Sequence, residues 1–395
     1  MVLNKIPMQN LRQVFLSRMG QTSDSPMLIE IEKAQGIYMY SPDGKRYIDM
    51  IAGVSVSNVG HCHPKVVDAV KKQAEQYMHL MVYGEYVQSP QVLYAKKLTD
   101  LLPESLSSIY YVNSGSEANE GALKLAKRYT GRTEIVAFKN CYHGGTHGVL
   151  SIFGDEYHRN SFRPLLPDVR HIRFNMQEDL EQITTRTACV IVEPQQGEGG
   201  AIAPQNDYLK QLRKRCDEVG ALLIFDEIQT GFGRLGKLFA FERYGAVPDI
   251  LTIAKAMGGG MPIGAVIASK EIMSTLTHNP VLGHITTFGG HPVSCAAALA
   301  SLEVIVEDKL IETVETKSAL FRKLLAGADI EGIRGDGLLM AVELGSDERL
   351  QNFIKKAFEA GIATDWFIFC GSAFRIAPPL IITDEQIEET CTILN

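Results

Sequence analysis

The chain reads as an α/β protein, with a large domain on a mostly parallel sheet followed by a small α+β domain. Three observations predict this. Short apolar runs alternate with amphipathic stretches through the middle of the chain, the pattern of strands joined by helices. Those runs are apolar on both faces, as strands covered by helices on each side must be. After Pro292 the pattern changes to helix-rich sequence with few strands.

The elements follow in order. Residues 1–60 form an N-terminal segment with short strands of its own, such as Gly36 to Tyr40, expected to pack beside the small domain. Residues 61–292 form the large domain. Its strands are read at Ser108 to Val112, Glu134 to Phe138, Ala188 to Val192, Ala221 to Phe225, Ile250 to Ile253 and Ala265 to Ile267. A helix over Glu117 to Arg128 carries acids in its first turn and bases in its last, as the helix dipole favours; a second such helix spans Asn206 to Glu218. Residues 293–395 form the small domain, with helical sequence over Ser294 to Gly327 and at Asp347 to Ala360, strands near Leu338 to Leu344 and Ala373 to Ile376, and a last helix from Asp384.

Composition narrows the function. With 395 residues, 45% hydrophobic and 22% charged, the chain can bury a substantial core. Its net charge of −7 argues against nucleic acid or an anionic membrane as partner. Seven scattered cysteines with no CxxC pair read as free thiols in a reducing compartment. Met1 to Met27 lacks the apolar core of a signal peptide, and no run reaches the roughly 20 apolar residues of a membrane helix. A cytoplasmic protein is expected. His61-Cys62-His63-Pro64 is a weak metal motif without a second cluster, so no metal is expected. The lone Trp366 reads as a packing residue.

Ligands of open α/β sheets bind beyond the carboxyl ends of the strands. Three strand ends carry chemistry here. Asn113-Ser114-Gly115-Ser116 follows the first strand and opens a helix, where free backbone N–H groups make either a phosphate cradle or an ordinary cap. Asp226 ends a buried strand and needs a positive partner, which a protonated pyridine nitrogen or a helix N-terminus would supply. Lys255 follows an apolar strand and precedes three glycines. Desolvation would make its amine a nucleophile, although strand-end lysines also snorkel to solvent. Together, a phosphate cradle, a carboxylate and a nucleophilic lysine are what a pyridoxal 5′-phosphate (PLP) enzyme must supply.

Further motifs join these. They are Ser116-Glu117-Ala118-Asn119-Glu120, Tyr142-His143-Gly144, Val192-Glu193-Pro194, Gly197-Glu198, Asp226 to Gly231, Thr287-Phe288-Gly289-Gly290 and Arg375 to Leu380. On them, the chain resembles the class III (ω-amino-acid) aminotransferases of PLP fold type I, of the acetylornithine and ornithine type, over nearly its whole length. The resemblance implies a seven-stranded sheet. It implies PLP as cofactor, with Lys255 carrying it as an imine and Asp226 on its ring nitrogen. Ser114, Gly115 and Ser116 would hold the phosphate, Tyr142 would stack on the ring and Gln229 would meet its phenolic oxygen. His143 and Glu193 complete the cofactor set. Thr287, with Thr286 beside it, would reach the phosphate of a neighbouring subunit, implying at least a homodimer with shared sites. Arg375 would fork onto a carboxylate of 2-oxoglutarate or glutamate, and Glu198 would pair with Arg375 when the other substrate is bound. The implied reaction is ping-pong transfer from an ω-amino donor to 2-oxoglutarate.

Same-fold racemases and decarboxylases would keep Lys255 and Asp226, but Glu198 with Arg375 favours a transaminase. Two departures bear on the donor. Gly145 stands where ornithine-type enzymes have an arginine for the donor's distal carboxylate, and Ala52-Gly53-Val54 lacks their ornithine-holding tyrosine. Donors such as 4-aminobutyrate, lysine and diamines therefore stand beside acetylornithine and ornithine, and Arg163 is a candidate substitute cation.

Overall fold

The apolar runs assemble into a seven-stranded sheet in the order Ser108–Val112, Gly264–Ala268, Ile250–Ile253, Leu222–Asp226, Thr187–Val192, Glu134–Phe138, Val169–Ile172. The molecule is described by a computed structural model covering residues 11–395; the first ten residues of the N-terminal segment lie outside the described residues. From Ile250–Ile253 to Val169–Ile172 all neighbours run parallel. Gly264–Ala268 runs against both its neighbours. Only ten residues separate Ile253 from Gly264, too few for the helical crossover that a parallel return needs. Because it lies between them, Ser108–Val112 points the same way as the parallel strands, and its carboxyl end reaches the same edge.

Val169–Ile172 is absent from the sequence reading. It reads Val-Arg-His-Ile, sits at the sheet's edge and is only partly buried. An edge strand has one neighbour and tolerates polar residues, so it lacks an apolar run. Ser108–Val112, at the opposite edge, is likewise only partly buried, unlike the fully buried strands between.

Helix Gly115–Thr130 begins where the Ser114 hydroxyl accepts the Glu117 N–H, and ends at Gly131 in the left-handed conformation. Pro292–Glu307 starts with proline in its first turn and is buried on most of its surface, against Pro64–Gln76 and Ser89–Thr99.

The N-terminal strands join the C-terminal part of the chain. Arg46–Asp49 pairs in parallel with Ile362–Ala363, and Ile37, Ile48 and Met50 share one apolar core with Val314, Phe321, Phe374 and Ile387. Burying each such side chain stabilises by about 1.5–3 kcal/mol. A separate four-stranded sheet, Gly332–Arg334, Met340–Glu343, Cys370–Ile376 and Trp366–Phe367, carries Arg375. Arg234, fully buried, ties these parts together by donating to the carbonyls of Leu338 and Pro378 and to the Asn58 side chain.

His61 Nε2 meets Asp49 Oδ2 at 2.7 Å, while Asp49 Oδ1 accepts the N–H groups of Ile51 and Ala52, each at 2.8 Å. His61 thus supports the turn that follows, in which Ala52, Gly53, Val54 and Ser55 all have positive φ. All seven cysteines are unpaired thiols. No helix among the described residues is long and apolar enough to cross a membrane.

Candidate active site

The carboxyl ends of the strands surround a cavity of about 430 Å³, within the usual range for small-molecule sites. Asn113, Ser114, Gly115, Ser116, Tyr142, His143, Gly145, Glu193, Asp226, Gln229 and Lys255 line it. Of these, Gly145 is exposed and Tyr142 half-buried. Two glycines let the backbones crowd this edge. A Cβ at Gly264 would sit 2.5 Å from the Ser114 carbonyl oxygen, and one at Gly144, whose φ is +126°, 2.4 Å from Ser116 Oγ.

Lys255 emerges from the sheet with φ of +48°, a left-handed conformation that costs a non-glycine residue energy. Its amine is held below the ordinary lysine value, first by burial and further by Arg375, while Glu198, Asp226 and Glu193 pull the other way. A lowered pKa increases the fraction of free, nucleophilic amine.

Asp226 is anchored by a buried network. Its Oδ2 accepts from Asn119 Nδ2 at 2.8 Å and meets His143 Nδ1 at 2.7 Å, and its Oδ1 accepts the Ile228 N–H at 3.0 Å. Asn119 also donates to the His143 carbonyl and accepts from Thr252 Oγ1. Burial works against charging His143, but Cys141 and the Asp226 carboxylate raise its pKa overall. Asn119 and Thr252 escaped the sequence reading as site residues. The available signal was Asn119 itself, a poor helix former inside a helix and among small core residues.

Glu193 accepts the N–H of Tyr142 at 2.9 Å and of Gly197 at 2.8 Å. Burial pushes its carboxyl up to about 7. Gln229 Nε2 is buried without a partner.

Outside the lining of this cavity, but close enough for the charges of Glu198 and Arg375 to act on the Lys255 amine, is a buried ion cluster. Arg375 Nη1 and Nη2 donate to Glu198 Oε1, and Nη2 also to Oε2, each at 3.0 Å. Nε donates to Asp365 Oδ1 at 2.8 Å. Although burial opposes it, Arg375 holds the Glu198 carboxyl below its ordinary value. Asp365 was not singled out from the sequence; an acid ten residues before an arginine carries no local signal. Trp366, read as packing, is 42% exposed, and its carbonyl accepts from Arg375 Nη2.

Besides Glu198 and Arg375, three predicted residues lie outside the cavity lining. Neither Thr286 nor Thr287 lines the cavity of its own chain. Thr286 Oγ1 accepts from Asn113 Nδ2 and the Gly289 N–H, and Thr287 is exposed. Arg163 pairs with Glu156 at the surface and does not line the cavity. Among the described residues, Lys255 is the only lysine or arginine that does.

A helix N-terminus, a buried carboxylate and a desolvated lysine thus meet around one cavity at the carboxyl edge of an α/β sheet, and the fold is that of the PLP fold type I transaminases. The family described as aminotransferase class-III matches residues 19–395, and the chain belongs to it. It is 42% identical over 384 residues to the acetylornithine aminotransferase of Methanocaldococcus jannaschii, covering 93% of this chain and 92% of that one. Among solved structures it superposes on the ornithine aminotransferase of Toxoplasma gondii ME49 with a TM-score of 0.90 at 31% identity, covering 98% and 93% of the two chains. An amine transaminase from an uncultivated Pseudomonas species, in its PLP-bound form, superposes with a TM-score of 0.87 at 27% identity, covering 95% and 96%.

Proposed function

We propose that this aminotransferase uses PLP to move an amino group from an ω-amino donor of the acetylornithine or ornithine type to 2-oxoglutarate, giving glutamate, in the cytoplasm. The observation that carries the reading is the Arg375–Glu198 pair beside Lys255. A guanidinium fork matches a carboxylate, and a carboxylate already seated on it can be exchanged for that of a substrate. One pocket then takes a dicarboxylate when Glu198 moves aside and an uncharged or cationic group when it stays.

The residues present fit the cofactor. Ser114 takes the Glu117 and Ala118 N–H groups, so the amides of Gly115 and Ser116, first in their helix, have no acceptor within it and suit a phosphate. The unpartnered Gln229 Nε2 suits the phenolic oxygen, and Tyr142 offers a ring face. When bound, PLP supplies an electron sink for the carbanion at the substrate carbon. Asp226, held by Asn119 and His143, would place its carboxylate against the ring nitrogen. Lys255 would anchor the cofactor and, once released as a neutral amine, would take the proton from the substrate carbon and carry it as an ammonium. His143 and Glu193 orient the groups around them.

A second reading of the donor has its own support. Gly145 leaves the wall open, and among the described residues no lysine or arginine apart from Lys255 lines the cavity to meet a distal carboxylate. This favours diamines, lysine or other ω-amines. A donor screen with 2-oxoglutarate as acceptor, reading glutamate formation, decides. No glutamate with any donor would sink the acceptor assignment; acetylornithine preferred over every diamine would sink the second reading.

The reading includes a homodimer with shared sites. Met78, Val87, Val281 and Phe288 are exposed apolar residues, and a second cavity of about 540 Å³ is lined by Tyr83 to Val87 together with Val281, Leu282, His284 and Ile285. Clustered exposed apolar side chains support the reading that a partner covers them. Sedimentation showing an active monomer at assay concentration would contradict it.

A further inference from the structure

Arg375 is held on several sides, and only one hold can be exchanged for substrate. The Nη edge faces Glu198, which lies 177 residues away in the chain. The remaining holds come from a single short stretch. Nε donates to Asp365 Oδ1 at 2.8 Å, Nη2 donates to the Trp366 carbonyl at 3.2 Å, and the guanidinium carbon lies 4.5 Å from the Phe367 ring centroid. The backbone fixes this stretch against Arg375: the Arg375 N–H donates to the Asp365 carbonyl at 2.9 Å, and Thr364 Oγ1 donates to the Arg375 carbonyl at 2.7 Å.

We infer that Asp365 is a positioning residue that keeps the Arg375 guanidinium in place while Glu198 gives way to a substrate carboxylate. This rests on the proposed role of Arg375 as the carboxylate site. A guanidinium has five N–H groups, and a bidentate carboxylate uses those of the Nη edge. Nε points elsewhere, so Asp365 and the substrate do not compete. Without Asp365, the guanidinium would lose the oxygen that fixes its Nε at the moment Glu198 departs. Glu198 also has a marked home position: its Oε2 accepts the Ile368 N–H at 3.2 Å, and its carbonyl accepts the Phe369 N–H at 3.0 Å. The segment from Asp365 to Phe369 therefore holds both partners of the exchange. Asp365 is 21% exposed at the rim of the cluster, against 2% for Arg375.

The test uses the holoenzyme and three readouts: the Kd of glutarate by calorimetry, the KM for 2-oxoglutarate, and the single-turnover rate with the best donor from the screen. Asp365→Ala should weaken glutarate and raise the KM for 2-oxoglutarate at least 10-fold, while the donor half-reaction stays within threefold. Asp365→Asn should recover most of the loss, because its amide oxygen still accepts from Nε. Glutarate binding within twofold of the parent, or equal losses in both half-reactions, would overturn the inference. If Asp365→Ala does not fold, Asp365→Glu is judged by the same selective loss, since it keeps the charge but displaces the oxygen. Arg375→Lys separates the two levels. If it weakens glutarate while the Asp365 variants do not, only the role of Asp365 falls; if it leaves glutarate unchanged, the carboxylate site itself is wrong.

Discussion

Replacing Arg375 by alanine tests the dual-substrate pocket most directly. Arg375 and Glu198 are both buried and share three N–H···O contacts at 3.0 Å. A substrate carboxylate in that position would make a pair of the same kind. Truncating one partner of a buried, hydrogen-bonded charge pair costs about 2–5 kcal/mol. At about 1.4 kcal/mol per decade, the KM for 2-oxoglutarate should rise roughly 30- to 4000-fold. The change also strands the carboxylates of Glu198 and Asp365, a loss of about 3–5 kcal/mol in stability where a buried charge is left unpaired. The melting temperature must therefore be measured beside the kinetics. Arg375→Lys keeps the charge but loses the fork, and should fall between parent and Arg375→Ala. Glu198→Ala should act oppositely, strengthening 2-oxoglutarate binding by removing its competitor while impairing donors that need the pair closed. The assay is two single-turnover half-reactions, donor and acceptor measured separately. A folded Arg375→Ala variant whose KM for 2-oxoglutarate stays within twofold of the parent would refute the reasoning.

Three further outcomes are expected. Lys255→Ala should abolish transamination and the cofactor's yellow absorbance while leaving the fold intact by circular dichroism; turnover near the parental rate would exclude Lys255 as the anchor. Gly145→Arg should raise kcat/KM for carboxylate-bearing donors by at most about 10- to 150-fold, the worth of a new charge-assisted pair of roughly 1.5–3 kcal/mol. Diamines should gain nothing, and a Cβ at Gly145 meets no atom within 4 Å, so a loss for every donor would count against the open wall. Glu193, pushed from 4.5 to about 7 in the fold, binds more protons folded than unfolded between those pH values. Apoprotein stability should therefore fall as pH rises across that window, and Glu193→Gln should flatten the slope in urea titrations; an unchanged slope would mean Glu193 is not the group responsible.

The sequence by itself determined whatever a short stretch of chain records. Apolar runs located the buried strands, because a strand covered on both faces must be apolar at every position. That Asp226 and Lys255 would stand at strand ends, and Ser114 at a helix start, was legible because each lies within a few residues of the element that places it. The tertiary structure decided what depends on neighbours far along the chain. Val169–Ile172 went unseen because an edge strand needs no apolar pattern, and Gly264–Ala268 runs antiparallel because the connection before it is too short to cross over. His61 was read only as part of a weak metal motif, and its partner Asp49 emerged only when the N-terminal strands folded beside it. The cluster around Arg375 shows the division most clearly. Its link to Glu198 was expected only by resemblance, across 177 residues, and its contact with Asp365 was not expected at all. A side chain's type can be read from the sequence, but the partner it finds once buried is set by which distant segments the fold brings within about 3 Å of it.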